Sequence, residues 1–143
     1  MIRVTLCKHN KKSLAAMTLI ELLLVLTILS VLTAIAYPSY SDHVRQSHRQ
    51  RALADLVRIQ LQLELDYDGR YQWQQLVSGG ICSICESSSQ RFQFAVTSSA
   101  TVAYTITATA QTDLGQDLDS CLTASKQIQL MANNQRIPTA CWP

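Results

Sequence analysis

Residues 16–23 read A-M-T-L-I-E-L-L and place one carboxylate, Glu21, near the start of a long apolar run. Between Leu19 and Tyr37, Glu21 is the only charged residue, and residues 22–36 contain only hydroxyl groups as polar side chains. An ionised group at membrane depth is costly, and such a residue usually has a partner and a function. This stretch therefore predicts a helix suited to lipid that carries one functional charge.

The apolar segment has the length of a membrane span. Residues 17–40, at a rise of ~1.5 Å each, exceed the ~30 Å hydrocarbon core of a bilayer. A single span must be helical, because its backbone polar groups have to be paired internally. The first sixteen residues contain no acidic side chain but four basic ones, Arg3, Lys8, Lys11 and Lys12. This asymmetry predicts that the N-terminal end stays cytoplasmic and that the rest of the chain is exported.

A cleaved secretory signal is the plain alternative for this N-terminus. Small residues spaced A-x-A at positions 34–36 would permit cleavage before Tyr37. However, Glu21 is unusual inside the apolar part of such a signal, and a helical pattern continues beyond the site. These features favour a cut between Ala16 and Met17, which leaves the apolar helix on the mature protein.

The motif T-L-I-E-L at residues 18–22, with an apolar stretch ending A-Y-P-S-Y at residues 36–40, resembles the N-terminus of type IV pilins. Type II secretion pseudopilins share this leader and helix. The resemblance implies that a prepilin peptidase cuts between Ala16 and Met17 and methylates the new N-terminus at Met17. The family usually has Gly before the cut and Phe after it, so both residues are replacements.

The resemblance also implies a domain plan, a location and partners. We expect residues 1–16 to be a cytoplasmic leader, residues 17–40 a transmembrane and filament-core helix, and residues 41–143 an exported globular domain. The chain would lie in the inner membrane with a single span and later in an extracellular pilus. Its expected partners are major and minor pilin subunits, the prepilin peptidase, the inner-membrane assembly machinery and membrane lipid.

Glu21 acquires a specific role in this interpretation. Cleavage would create an α-amino group four residues away, and on a neighbouring helix shifted along a filament that cation would face the carboxylate. At low dielectric such a pair is worth several times its value at a surface, because two unpaired charges in lipid are the alternative. The pairing would set subunit register. A protonated Glu21, or one that reaches the headgroups, remains the competing interpretation.

The chain after the span has a helical period and then a period of two. Apolar residues at helical spacing predict an amphipathic helix over 41–67, ending near Gly69, with a mixed-charge solvated face. Residues 71–90 have no clear periodicity and are expected to form a loop. Apolar and polar residues then alternate in three segments, 92–97, 102–109 and 127–130, with a short further edge at 136–139.

These patterns predict an α+β fold. A long N-terminal helix, transmembrane in its first half and amphipathic in its second, would pack on a three- to four-stranded antiparallel sheet. The mature chain has room for one modest globular domain. This is the expected fold of a pilin.

Four of the five cysteines lie on the exported side, where thiols are oxidised, and Cys7 would leave with the leader. Four cysteines allow three connectivities. We favour Cys82 with Cys85 and Cys121 with Cys141, because the latter would close the C-terminal loop that is exposed in pilins. A bridge so close to the C-terminus resembles minor pilins in particular.

Cys82-x-x-Cys85 has the spacing of thiol oxidoreductases, so a secreted or anchored redox protein is an alternative from another class. A reactive pair usually lies at a helix N-terminus after a strand. The flanking sequences S-G-G-I and E-S-S-S are typical of a loop, which favours a structural bridge. Zinc binding by the four cysteines is disfavoured outside the cytoplasm.

No further catalytic or binding constellation stands out in the sequence. His43 and His48 have no nucleophile spaced beside them, and we predict neither enzymatic activity nor a cofactor or metal. Without the leader, eight basic residues stand against ten acidic ones, so no direct nucleic-acid binding is predicted.

We therefore predict a minor pilin, a structural subunit for type IV pilus assembly. A type II secretion pseudopilin is the alternative, with Asp113, Asp117 and Asp119 as its candidate calcium loop.

Overall fold

The computed structural model describes residues 17–122 and 124–143 and confirms the predicted α+β fold. One long helix precedes a four-stranded antiparallel sheet and a small hairpin. The elements are α1 Leu19–Leu65, β1 Val77–Ser78, β2 Ile81–Cys82, β3 Phe92–Thr97, β4 Thr105–Ala110, β5 Gln127–Met131 and β6 Arg136–Ile137, with short 3-10 helices at Gln116–Leu118 and Thr139–Cys141.

The described part of the chain divides into two compact units, with the boundary between Tyr37 and Pro38. The first unit is the apolar part of α1, whose length and composition suit a membrane span. Its hydroxyl side chains donate to carbonyls one turn earlier, as Ser30 does to Thr27 at 2.8 Å and Thr33 to Leu29 at 2.9 Å. These hydroxyls are therefore paired within the helix, as a lipid environment requires.

The second unit has one core between α1 and the sheet. Apolar residues from the later part of α1 meet the alternating inward residues of three strands, as the sequence predicts. The largest buried members of this core are Leu56, Ile59, Leu63, Phe92, Tyr104, Ile106, Ile128 and Leu130.

The sheet has the order β3-β4-β5-β6, with every pair antiparallel. Ile106 lies opposite Val96 on one side and Leu130 on the other, which brings the apolar residues to one face. The expected strand at residues 102–104 is wrong, because β4 begins at Thr105. There, Ser99 donates its N–H to the Val102 carbonyl at 3.0 Å, so the loop is closed on itself.

The predicted loop at residues 71–90 contains a β-hairpin that sequence reasoning missed. β1 and β2 pair through Val77 with Cys82, and the two intervening glycines have φ of +58° and +82°. Such angles suit a two-residue hairpin turn, for which Gly-Gly is a recognised signal. The Gly80 carbonyl accepts the Phe94 N–H at 3.0 Å and joins the hairpin to β3.

Candidate assembly and recognition surfaces

Glu21 lies in the first turn of α1 with its side chain exposed. Its backbone N–H donates to Thr18 Oγ1 at 3.3 Å, so Thr18 is the N-cap of the helix. Met17, also exposed, precedes the helix by two positions. Ala16 lies outside the described residues. Cleavage at Ala16–Met17 and the pairing of Glu21 stay predictions.

Both predicted disulfides are present. Cys82 and Cys85 are bridged with their Cα atoms 5.4 Å apart, and Cys121 and Cys141 with theirs 5.2 Å apart. Cys82 ends β2 and Cys85 lies in the loop that follows, whereas reactive pairs usually lie at a helix N-terminus. The bridge fixes a loop, and the redox alternative receives no support from this placement.

A buried carboxylate anchors that same loop to the helix. Asp55 is 1% exposed and accepts the backbone N–H groups of Glu86 at 3.0 Å and Ser87 at 2.9 Å. Arg58 donates to Asp55 at 3.1 Å and to the Ile84 carbonyl at 3.1 Å. Sequence reasoning placed these charges on a solvated face and was wrong for Asp55. Its position beside Leu56 in the apolar stripe was the available signal.

A second ionic cluster attaches the loop after β4 to α1. Arg49 pairs with Asp119, which is buried and also accepts the Cys121 N–H at 3.2 Å. Gln116 donates to the Arg45 carbonyl at 3.0 Å, and Arg45 donates to the Gly115 carbonyl at 3.0 Å. The Asp119 carboxylate is thus committed to an arginine and a backbone amide.

That commitment gives no support to the calcium loop expected of a pseudopilin. Asp113 and Asp117 would need Asp119 as a third carboxylate ligand, and its oxygens are already paired within the protein. Within residues 17–122 and 124–143, no group of three metal-ligating side chains is close enough to hold an ion.

One face of α1 in the second unit is apolar and exposed. Val57, Leu61 and Leu65 are spaced four residues apart and are 46%, 59% and 69% exposed. Residues four apart lie on one side of a helix. We call these three residues the exposed stripe. An exposed apolar row of this kind is typical of a surface that meets another protein.

Several cations have no carboxylate partner among the described residues. Arg91 donates to the Leu114 carbonyl at 3.2 Å and forms no ion pair within the described ranges. Arg51 and Lys126 form no ion pair within the described ranges. Arg51 lies one turn after His48 on α1. Partial burial lowers the pKa of His48, and the positive charges of Arg91 and Arg51 lower it further.

Backbone hydrogen bonds bring Lys126 near Arg91. The Gln111 N–H donates to the Arg91 carbonyl and the Ala110 N–H to the Lys126 carbonyl, each at 2.9 Å. The two basic residues therefore lie on either side of the end of β4, with backbones about 10 Å apart across two strand spacings. We call Arg51, Arg91 and Lys126 the basic sheet end. Sequence reasoning missed it because these residues are far apart in the chain.

Comparison with known protein families gives two matches. A family model described as type IV minor pilin ComP, DNA uptake sequence receptor, matches residues 38–125. A model of the prokaryotic N-terminal methylation motif matches residues 11–37. No curated protein and no solved structure matches the chain.

Proposed function

The chain belongs to the family of type IV minor pilins that the ComP model describes, and we propose that it binds DNA at the pilus through its exported domain. The family match confirms the predicted minor-pilin role, and the methylation motif and the long apolar helix agree with it. The family is a structural one, and its members contact other pilus subunits. The match over residues 38–125 to a DNA uptake sequence receptor is the observation that carries the proposal.

Assembly begins at the N-terminus in this proposal. A prepilin peptidase removes residues 1–16 and methylates Met17, and the span over residues 17–40 holds the protein in the inner membrane with residues 41–143 exported. The inner-membrane machinery then moves the subunit out of lipid into a pilus of major and minor pilins. Glu21 sets its register by pairing with the N-terminal amine of a neighbouring subunit. Support comes from the methylation motif and from one carboxylate in a lipid-suited helix.

Two measurements test this assembly step. Mass determination of the mature N-terminus is expected to give methylated Met17, whereas a chain beginning at Tyr37 would contradict the proposed cleavage. Glu21→Ala is expected to leave the protein in the membrane but to reduce its incorporation into pili. Thr33→Val is the matched control, because it changes a polar side chain of the same helix whose hydroxyl is bonded internally. Equal incorporation of both variants would remove the pairing role.

The DNA surface proposed is the basic sheet end. Lysine and arginine bind duplex DNA mainly by neutralising phosphates, and this term provides most of non-specific affinity. Lys126 has a left-handed backbone with φ of 55°, a conformation that costs an L-residue about 1–2 kcal/mol. A lysine kept where glycine would be relaxed points to a use for its charge.

This proposal departs from the expectation of no direct nucleic-acid binding. That expectation rested on an excess of acidic over basic residues in the mature chain. Net charge does not describe where the charges lie, since two of those acids, Asp55 and Asp119, are buried against Arg58 and Arg49. The net charge therefore does not reveal the surface that carries Arg51, Arg91 and Lys126. None of these three residues forms an ion pair among the described residues.

The test uses the full-length protein in detergent and a pool of random duplexes. Bound duplexes are recovered and sequenced, and enrichment of one short motif is expected of an uptake-sequence receptor. Lys126→Gly removes a charge and relaxes the backbone, so it should weaken binding, leave folding intact and reduce the slope of log affinity against log salt by about 0.9. Ala124→Gly, a change without loss of charge at an exposed position two residues earlier, is a control for the effect of a glycine. Absence of duplex binding at low salt would overturn the proposal.

A further inference from the structure

A depression of about 350 Å³ lies beyond the C-terminal end of α1. Its wall contains three aromatic rings and one cation from the segment after the helix, Tyr67, Arg70, Tyr71 and Trp73, and two small residues, Ser98 and Ala103, from the β3–β4 loop. The volume is within the range of about 300–1,000 Å³ that small-ligand sites occupy. Aromatic rings with one polar group beside them suit a ligand that has an apolar face.

The aromatic wall is held in place before any ligand arrives. The Tyr71 ring lies 4.7 Å from Tyr67 and 4.7 Å edge-on from Tyr104, measured between centroids. The Tyr71 hydroxyl donates to Glu64 at 3.2 Å, and the Tyr104 hydroxyl donates to the same carboxylate. Gly69, at φ of +100°, permits the chain reversal that follows the helix. Tyr67 remains 52% exposed, so one ring is available for contact.

A second depression of about 470 Å³ flanks the same segment. Its lining includes Asp66, Gln72, Gln74 and Gln75, which belong to the same chain segment as the aromatic wall. Carboxylates and amides together offer acceptors and donors that match neighbouring hydroxyl groups. The two depressions share no lining residue, and one short chain segment supplies an aromatic platform to the first and a row of hydroxyl-binding groups to the second.

Local charge decides which ligand suits this pair of depressions. Glu64, Asp66 and Asp68 oppose the single cation Arg70, so the segment has an excess of negative charge. A polyanion such as DNA would be repelled here, unlike at the basic sheet end. A neutral ring with an apolar face and a hydroxyl edge meets no such penalty.

We propose that these depressions form a carbohydrate-binding site. A pyranose ring packs its C–H face on Tyr67, with the partly buried Trp73 in the wall beside it. Arg70 donates hydrogen bonds to the sugar hydroxyls, and Ser98 donates or accepts them. A second sugar residue of the same glycan occupies the depression beside Gln72 and Gln74. The ligand is a neutral oligosaccharide of at least two residues, which gives the exported domain a binding activity separate from DNA.

The experiment screens full-length protein, held in a detergent without a sugar headgroup, against an array of neutral oligosaccharides. Selected binders are then titrated by calorimetry. Tyr67→Ala should weaken glycan binding about tenfold or more, because the exposed ring supplies the platform, whereas Tyr67→Phe should retain most of it. Leu118→Ala removes an exposed apolar side chain that lines neither depression and should bind like the wild type.

Duplex DNA binding is measured in parallel on the same variants. Unchanged DNA binding by Tyr67→Ala, together with lost glycan binding, supports a separate site. No binding by any neutral oligosaccharide would overturn the proposal. Loss of DNA binding in Tyr67→Ala would also overturn it, because the aromatic wall would then belong to the DNA surface.

Discussion

The Asp55 carboxylate, buried on α1, accepts the backbone N–H of Ser87 at 2.9 Å across 32 positions of the chain. It also accepts the Glu86 N–H, so one helical side chain satisfies two amides of the loop that follows Cys85. Buried donors left without acceptors cost about 1–3 kcal/mol each. The helix therefore determines where the disulfide loop lies.

Replacing Asp55 is expected to destabilise the exported unit strongly. Asp55→Ala leaves the amides of Glu86 and Ser87 without acceptors, and we expect a loss of roughly 2–4 kcal/mol in the free energy of unfolding. Asp42→Ala breaks only an exposed ion pair with Arg45 and should cost less than about 1 kcal/mol. Chemical denaturation of both variants measures the difference. Equal stabilities would show that Asp55 does not hold the loop.

The two disulfides should contribute unequally to stability. Cys121 and Cys141 close a loop with a sequence separation of 20, and Cys82 and Cys85 one of only 3. Since the entropy removed from the unfolded chain grows with loop length, we expect losses of about 3 and about 2 kcal/mol when each pair is changed to serine. Denaturation under non-reducing conditions tests the order. A larger loss from the short loop would contradict loop entropy as the dominant effect.

His48 should make stability depend on pH. Burial and the charges of Arg91 and Arg51 lower its pKa in the folded chain, so the unfolded chain binds more protons. Stability therefore rises with pH through the region below about 6.5 and falls on acidification. His48→Gln should flatten the melting temperature between pH 7 and pH 5, whereas His43→Gln, at an exposed position, serves as the control. An unchanged profile for His48→Gln would contradict this assignment.

Periodicity predicted the fold where one face of an element decides its structure. The alternation around Phe94, Ile106 and Ile128 gave three strands, because an inward residue must recur at every second position. It failed for the hairpin at Gly79 and Gly80, where strands of two residues are too short to show a period. At that hairpin, the Gly-Gly pair was the only sequence signal, because it is typical of a two-residue turn.

The candidate surfaces also differ in how far the sequence predicts them. The amino-acid sequence alone identifies Glu21 as a functional candidate, because its apolar neighbours in the sequence make its charge unusual. It does not reveal the basic sheet end, because Arg91 and Lys126 are placed on either side of β4 only by the hydrogen bonds of Ala110 and Gln111. Residues that are brought together by the order of strands in a sheet can be identified only when the structure of that sheet is known.

The exposed stripe should be required for incorporation into pili but not for folding. Val57, Leu61 and Leu65 form an exposed apolar row on α1. Because pilins contact other pilus subunits, we expect a neighbouring subunit to cover this row. Leu61→Lys places a charge in that row and should reduce the amount of subunit recovered in sheared pili several-fold. The melting temperature should change little, since Leu61 is already 59% exposed.

A lysine at an exposed but less apolar position of the same helix separates interface loss from general charge effects. Gln50→Lys adds the same charge earlier on α1 and should leave incorporation close to the wild type. Leu56→Lys, at a fully buried core position, should instead unfold the exported domain and so abolish both its melting transition and its incorporation into pili. If Leu61→Lys entered pili as well as Gln50→Lys does, the exposed stripe would not be a subunit interface, and its exposure would be a property of the assembled pilus surface.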